Sequence, residues 1–342
     1  MNLNFQKRAF IIAEVGVNHN GSIKTAKKLI DKALHAGADA VKFQMFHADE
    51  LTTKTADLAD YQKKTQEKSQ HEMLKKLELS PADFIELKKY CDEKQIFFLA
   101  TPFDLRSVDF LSDLGMSVFK VGSGDLTNFP LLKKISKTSK PIILSTGMAM
   151  LEEIDQTIRY LRSMNKEQEI CILHCTSSYP APEQELNLKV INEYLKRYPY
   201  VIGYSDHSIG THIPVAAVAL GAKIIEKHIT LDQSMPGPDH AASMPAEEFR
   251  EMVRLIRLTE LALGTEQKQM TGLEKQVKPL VRRGLYLNSD IDEGKILTDN
   301  DLIALRPLEG IEANEYENVL GKVLKTSKKK HEPLYWGDVN EE

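Results

Sequence analysis

The chain has 342 residues, 42% of them hydrophobic and 27% charged, and carries a formal net charge of −4. That length allows a large core and two domains, and the nearly balanced charge excludes nucleic acid or an acidic membrane surface as a general partner. No apolar run reaches the roughly 18 residues of a membrane span, MNLNFQKRAF leads straight into a strand-like stretch rather than a signal-peptide core, and Cys91, Cys171 and Cys175 have neither disulfide-framework nor zinc-ribbon spacing, so a cytoplasmic protein with reduced thiols is expected.

FIIAEVG (10–16) is the first of a series of short apolar, β-branched runs. Ile23–Ala36 follows with helical spacing, Leu29, Ile30, Ala33 and Leu34 falling on one face. After ADAVKFQ (38–44) comes a long polar stretch, 45–79, that reads as an active-site loop or lid. QIFFLAT (95–101), SVFKVGS (117–123), PIILSTG (141–147), EICILHCT (169–176), YVIGYSDH (200–207) and AKIIEKHI (222–229) complete the series, separated by charged segments of mostly helical character. Strands alternating with helices predict a parallel sheet. Eight such units in about 265 residues predict a closed (β/α)8 TIM barrel over residues 1–265. The alternative, a doubly wound open sheet, lacks a G-x-G-x-x-G after any strand. Residues 266–281 read as a polar linker. From 282 to 342, short apolar pairs with D-E-G and D-N-D turn signals predict a small β-rich domain. About 60 residues is near the lower limit for a core standing alone, so this domain is expected to pack on something, a partner subunit included. The basic run in SKKKHEPLYWGD reads as a solvated loop.

Catalytic groups of such barrels gather at the C-terminal ends of the strands. Polar residues recur there: Glu14, Lys42, Gln44, Thr101, Lys120, Ser123, Ser145, His174, Ser205, His207, Glu226 and His228. Residues two apart on a strand share a face, which pairs Lys42 with Gln44, Ser205 with His207 and Glu226 with His228. One buried histidine is usually a hydrogen-bonded core residue. Two at the ends of adjacent strands, about 4.8 Å apart, can share a divalent ion and leave positions open for substrate. Lys42 and Lys120, with the hydroxyls of Thr101, Ser123, Ser145 and Ser205, describe a phosphate or carboxylate site. The glycines of VGSGD and STG suit either close backbone approach to an anion or plain tight turns. NHNG (18–21) reads as a turn and helix cap, and Asp239 in PGPD as a turn residue or a site carboxylate.

The ordered motifs AEVGVNHNG, GADAVKFQ, ATPFD, FKVGSGD, ILSTGM, LHCTSSYP, GYSDHS, IEKHIT and PGPDH resemble those of the N-acetylneuraminate (sialic acid) synthase family, including the legionaminic and pseudaminic acid synthases and spore-coat polysaccharide relatives. IDEGKILTDNDLIALRP resembles that family's antifreeze-like (SAF) domain. The resemblance covers essentially the whole chain. It implies that His207 and His228 bind a divalent metal, manganese first, with magnesium or cobalt as alternatives. It implies that Lys42, Thr101, Lys120, Ser123, Ser145 and Ser205 hold phosphoenolpyruvate, and that Glu14, Gln44, Tyr179 and Asp239 line the site of an N-acylated hexose. It implies that Arg306 reaches the active site of the other subunit of a domain-swapped homodimer. Asp125 stands where the family usually has Glu, Ser177 where it has Asn for contacting phosphoenolpyruvate, and Ile229 where it has Phe; these positions bear on the sugar and leave the reaction class unchanged. The implied reaction joins phosphoenolpyruvate to N-acetylmannosamine, giving N-acetylneuraminate and phosphate. The alternative acceptor is a 2,4-diacetamido-trideoxyhexose, giving legionaminate. Outside that class stand a saccharide-binding protein without catalysis and a metal-dependent hydrolase. Glu14 is expected to move a proton or the attacking water, or else to orient the sugar.

Overall fold

The structure is a computed structural model that describes residues 8–59 and 67–340. It divides into two compact units, Met1–Gly264 and Thr265–Glu342. In the first, the apolar runs form β1 (Phe10–Gly16), β2 (Ala40–Met45), β3 (Phe97–Pro102), β4 (Phe119–Val121), β5 (Ile142–Ser145), β6 (Ile170–Cys175), β7 (Val201–Asp206) and β8 (Ile224–Thr230). All pair in parallel, in the order β3-β2-β1-β8-β7-β6-β5-β4. The ends of that order are consecutive in sequence, so the sheet curls round on itself instead of lying open as a doubly wound sheet does. Closure is not complete: among the described residues no ladder joins β3 to β4, and β4 has only 3 residues with which to pair. A short β9 (Met244–Pro245) extends the end of β8.

Helices α1 (Ile23–His35), α2 (Ala48–Leu51), α3 (Gln70–Leu77), α4 (Pro81–Lys94), α5 (Leu105–Asp113), α6 (Phe129–Ser136), α7 (Leu151–Met164), α8 (Val190–Arg197), α9 (His212–Ala219) and α10 (Ala246–Leu263) fill the connections. Local chemistry sets their starts. Ser22 Oγ accepts from the Thr25 N–H before α1, and Ser80 with Asp83 forms a capping box before α4. The stretch expected as a polar lid is in part helical. Residues 60–66 lie outside the described residues, but α2 and α3 within it carry Leu51, Met73, Leu74 and Leu77 into an apolar cluster with Val17, Phe46 and Phe103. Spacing hid this, because the apolar positions sit on two short helices.

The barrel interior has two layers. Ile12, Ala40, Leu99, Val118, Ile143, Leu173 and Ile224 form an apolar floor. Two residues further along their strands, on the same face, stand Glu14, Lys42, Thr101, Lys120, Ser145, Cys175 and Glu226. The opposite faces of the strands pack on the helices, with Ile11, Val41, Phe43, Phe98, Phe119, Leu144, Ile172 and Ile225 fully or nearly fully buried. No helix among the described residues is long and apolar enough to cross a membrane.

In the second unit, β10 (Gly284–Leu287) pairs antiparallel with β11 (Leu302–Leu305). Isolated bridges such as Ile291 with Lys328 and Leu324 with Val339 continue the β-type pairing. Leu285, Leu287, Ile291, Leu297, Ile311, Val319, Leu324, Leu334 and Val339 give this unit a core of its own. Part of the stretch expected as linker is a helix, α11 (Gly272–Val281), started by the Thr271–Glu274 capping box, and none of its residues is buried.

Candidate active site

The upper polar layer faces a cavity of about 490 Å³ at the C-terminal ends of the strands. Glu14, Lys42, Gln44, Thr101, Lys120, Ser123 and Ser145 line it from β1 to β5, and Ser177, Tyr179, Ser205, His207, His228 and Asp239 complete it. Period-two alternation explains the strand residues of the group, which share a face with the apolar floor beneath, while Ser123, Ser177, Tyr179 and Asp239 come from the loops that follow β4, β6 and β8.

Four charges cross the middle of the barrel. Lys42 Nζ lies 2.9 Å from Glu14 Oε2 and 3.7 Å from Glu226 Oε2, and Lys120 Nζ is 3.7 Å from Glu226 Oε1. Hydroxyls and an amide tie them down. Lys42 donates to Thr101 Oγ1 (3.1 Å), and Lys120 to Ser145 Oγ (2.6 Å) and the Val121 carbonyl (3.1 Å). Ser205 donates to Glu226 (2.9 Å) and Gln44 to Glu14 (3.0 Å). Burial pushes both carboxyls up, but they part company. Lys120 and Lys42, with the Ser205 hydroxyl, outweigh burial at Glu226 and hold it below the usual carboxylate range. Burial prevails at Glu14, which stays raised despite Lys42. Glu14 is therefore the carboxylate that takes a proton more readily, and Glu226 the fixed counter-charge of the lysines. Burial likewise lowers Lys120, partly offset by Glu226.

The hydroxyls beside Lys120 are packed closely. Ser123 Oγ accepts from the Gly147 N–H at 2.9 Å. A Cβ at Gly147 would meet Ser177 Oγ at 2.2 Å and Ser123 Oγ at 2.9 Å, so glycine here permits the close approach that the STG motif left open.

His207 and His228 stand on the neighbouring ends of β7 and β8, their ring centroids 5.4 Å apart, with the Tyr179 ring 4.1 Å from His207. His207 Nδ1 is 2.8 Å from the Thr176 carbonyl, which fixes Nδ1 as the protonated nitrogen and leaves Nε2 with a free lone pair. His228 Nδ1 is buried without a hydrogen-bond partner, with Asp239 Oδ2 3.8 Å away. Burial, then His207 and Lys42, hold the His228 imidazole well below its ordinary range, so it is neutral. Burial lowers His207 too, but the Cys175 thiol 3.8 Å from Nδ1 and the Thr176 carbonyl outweigh it and leave it raised. Burial and the Glu14 charge push Asp239 up to about 6. An unpartnered buried ring nitrogen beside a second imidazole with one nitrogen free fits a two-histidine divalent site. Among the described residues no third His, Cys, Asp or Glu joins them in a cluster able to hold an ion, so the remaining positions of such an ion would belong to water or substrate.

Two expected residues, His174 and Asp125, fall elsewhere, and Arg306 lies, as expected, in the second unit. His174 points to the helix side, its Nε2 2.7 Å from the Leu186 carbonyl, because it is one residue out of phase with the inward face. Asp125 does not line the cavity; the 3-10 turn Ser123–Asp125 directs its carboxylate to the Asn128 amide at 2.9 Å. Arg306 belongs to the second unit and is exposed at the end of β11. Sequence reasoning missed Cys175, which lines the cavity two residues above Leu173; the same alternation that pairs Ser205 with His207 would have found it. It also missed the apolar wall formed by Val17, Phe46, Leu51, Met73, Leu77 and Phe103.

Residues 29–268 match the NeuB family profile and residues 282–340 the SAF domain profile. The chain is 46% identical over 329 residues to the N,N'-diacetyllegionaminic acid synthase of Campylobacter jejuni, covering 95% of this chain and 98% of that one. It is 39% identical to the N-acetylneuraminate-9-phosphate synthase of Homo sapiens, over 93% of this chain and 89% of the relative. Among solved structures it resembles the N-acetylneuraminic acid synthetase of Leptospira borgpetersenii in complex with citrate, at a TM-score of 0.71 and 34% identity, over 79% of this chain and 90% of that one. The chain therefore belongs to the NeuB family of synthases and ends in a SAF domain.

Proposed function

We propose that the protein condenses phosphoenolpyruvate with an open-chain 2,4-diacetamido-trideoxyhexose, releasing phosphate and giving N,N'-diacetyllegionaminate. The observation that carries this reading is one cavity in which a two-lysine, hydroxyl-lined cradle, two imidazoles and an apolar wall meet. N-acetylmannosamine, the acceptor placed first from the sequence, is the second reading and is favoured by the resemblance to neuraminate synthases. The higher identity to a diacetyllegionaminic acid synthase and the apolar wall favour the diacetamido sugar, whose deoxy carbon and second acyl methyl suit Phe46, Leu51, Met73 and Leu77 better than hydroxyls do.

In this reading C3 of phosphoenolpyruvate attacks the sugar's aldehyde carbon and the aldehyde oxygen takes a proton. Water adds at C2, and the C2–O bond to phosphate breaks. Lys42 and Lys120 hold the phosphate and carboxylate charge, with Thr101, Ser123, Ser145, Ser177 and Ser205 orienting it. Glu14, the carboxyl that burial raises despite Lys42, moves the proton at the aldehyde oxygen or at the attacking water. Gln44, Tyr179 and Asp239 orient the sugar. A divalent ion held by His207 and His228, manganese first, would supply Lewis-acid polarisation of the carbonyl. Arg306 is assigned to the site of a partner subunit in a domain-swapped homodimer. The free cysteines suit a reducing, cytoplasmic setting.

The test offers both sugars with phosphoenolpyruvate and manganese, and follows phosphate release and product mass. The expected result is a kcat/KM for the diacetamido sugar about 10–200-fold above that for N-acetylmannosamine, the range that apolar contacts provide. An equal or reversed ratio overturns the sugar assignment. Phosphate release from neither sugar removes the condensation, and leaves a saccharide binder or a hydrolase independent of phosphoenolpyruvate.

A further inference from the structure

A second pair of opposite charges lies directly behind the two histidines. Asp206 and Lys227 are 1% and 2% exposed and form an ion pair between β7 and β8. They are ladder partners, and theirs is the last pairing in the β7–β8 ladder. His207 is the residue immediately beyond, just outside β7, and His228 follows Lys227 within β8. By strand alternation the ion pair faces away from the cavity that the histidines face.

Asp206 is fully engaged. One oxygen takes the Lys227 ammonium, and the other accepts from the Ser208 N–H at 3.1 Å and the Ser208 hydroxyl at 2.8 Å. Lys227 donates in addition to the Ser208 carbonyl. His207 is thus bracketed by two residues, Asp206 and Ser208, that are tied to each other and to the lysine preceding His228. Beyond the bracket, the His207 carbonyl accepts from the Ala181 N–H, and its ring is anchored at Nδ1 by the Thr176 carbonyl, with the Cys175 sulfur 3.8 Å from the same nitrogen.

Stability alone accounts poorly for this arrangement. Well-packed apolar residues often replace a buried ion pair without loss of stability, and the best-attested use of such a pair is to fix register. The register at stake here is the spacing between two imidazoles at the point where the ladder stops.

We propose that Asp206 and Lys227 are positioning residues, an ion-pair clamp that sets the distance and orientation of His207 and His228 as they converge on a divalent ion. The proposal rests on the two-histidine metal reading of the site. Loss of the clamp frees the His207 segment to drift from His228 while the barrel below remains paired.

The test compares the wild-type chain with the charge-neutral double variant D206N/K227M, which leaves no unpaired buried charge. Free Mn2+ is counted by electron paramagnetic resonance, and the metal-free unfolding midpoint is measured in parallel. The expected result is cooperative unfolding with Mn2+ affinity reduced about 10–100-fold, the range seen when support of metal ligands is removed. Cooperative unfolding with wild-type Mn2+ affinity overturns the clamp. If the double variant does not fold, Ser208→Ala decides, since it removes one bond to Asp206 and leaves the charges paired: several-fold weaker Mn2+ binding supports the clamp, and unchanged binding overturns it. A wild-type chain that binds no Mn2+ overturns the metal reading itself, and the clamp with it, and is told apart by the wild-type measurement alone.

Discussion

His19 is 1% exposed, and its Nδ1 accepts from the Gly21 N–H at 3.0 Å. The proton therefore sits on Nε2, which is buried with no hydrogen-bond partner. Burial holds this imidazole down to about 4, against the opposing pull of Asp83. In the unfolded chain it titrates near 6.5. Between those values the unfolded state binds the extra proton, so stability is complete above pH 6.5 and is lost as pH falls towards 4. The loss from this one residue is on the order of 3 kcal/mol. Urea midpoints measured from pH 7.5 to 4.5 are expected to fall less steeply for His19→Gln than for the wild type; identical slopes would show that another group supplies the acid sensitivity. NHNG, read from the sequence as a turn and a helix cap, forms the turn that leads into α1, and the cap is the residue after it, Ser22. It also buries an imidazole, which its polar composition did not announce.

At the scale of an element, β7 shows how the barrel makes room for its own floor. A Cβ at Gly203 would meet Leu173 Cδ2 at 2.5 Å, the Ile224 carbonyl oxygen at 2.6 Å and Ile224 Cβ at 2.7 Å. Glycine lets β6 and β8 close over the point where β7 passes, directly beneath Ser205 and His207. Gly203→Ala is expected to destabilise the fold by roughly 1–3 kcal/mol or more, because one of the opposing atoms is backbone and cannot turn aside. Denaturant unfolding measures this directly, and an unchanged midpoint would show that the floor is loosely packed. The ends of the strands were less legible than their existence. SVFKVGS was read as a strand over 117–123, yet β4 spans only Phe119–Val121, because Ser123 to Asp125 turn into a 3-10 helix that carries Ser123 to the cavity and Asp125 away from it.

At the scale of the molecule, each unit has a core of its own, so each carries the buried apolar residues of an independently folding domain. Removal of residues 265–342 is expected to leave a barrel that unfolds cooperatively and still binds Mn2+ and phosphoenolpyruvate, since His207, His228, Lys42 and Lys120 all lie in the first unit. Sugar turnover is expected to be lost with Arg306. Calorimetric titration with phosphoenolpyruvate and a phosphate-release assay separate the two effects. Full turnover by the truncated chain would withdraw Arg306 from the site.

The alternation of apolar and polar residues along each strand determined most of this protein by itself: eight parallel strands, their helices, and a set of charged groups at one end of the barrel. It could do so because a period of two places Glu14 above Ile12, Lys42 above Ala40 and Glu226 above Ile224 whatever else the chain does. Only the tertiary structure decided which of those charges meet. Glu226 answers both lysines across the barrel while Glu14 takes a proton more readily, and Asp206 finds Lys227 behind the histidines. Those pairings depend on strand register and on distances between residues remote in sequence, which a one-dimensional pattern does not contain.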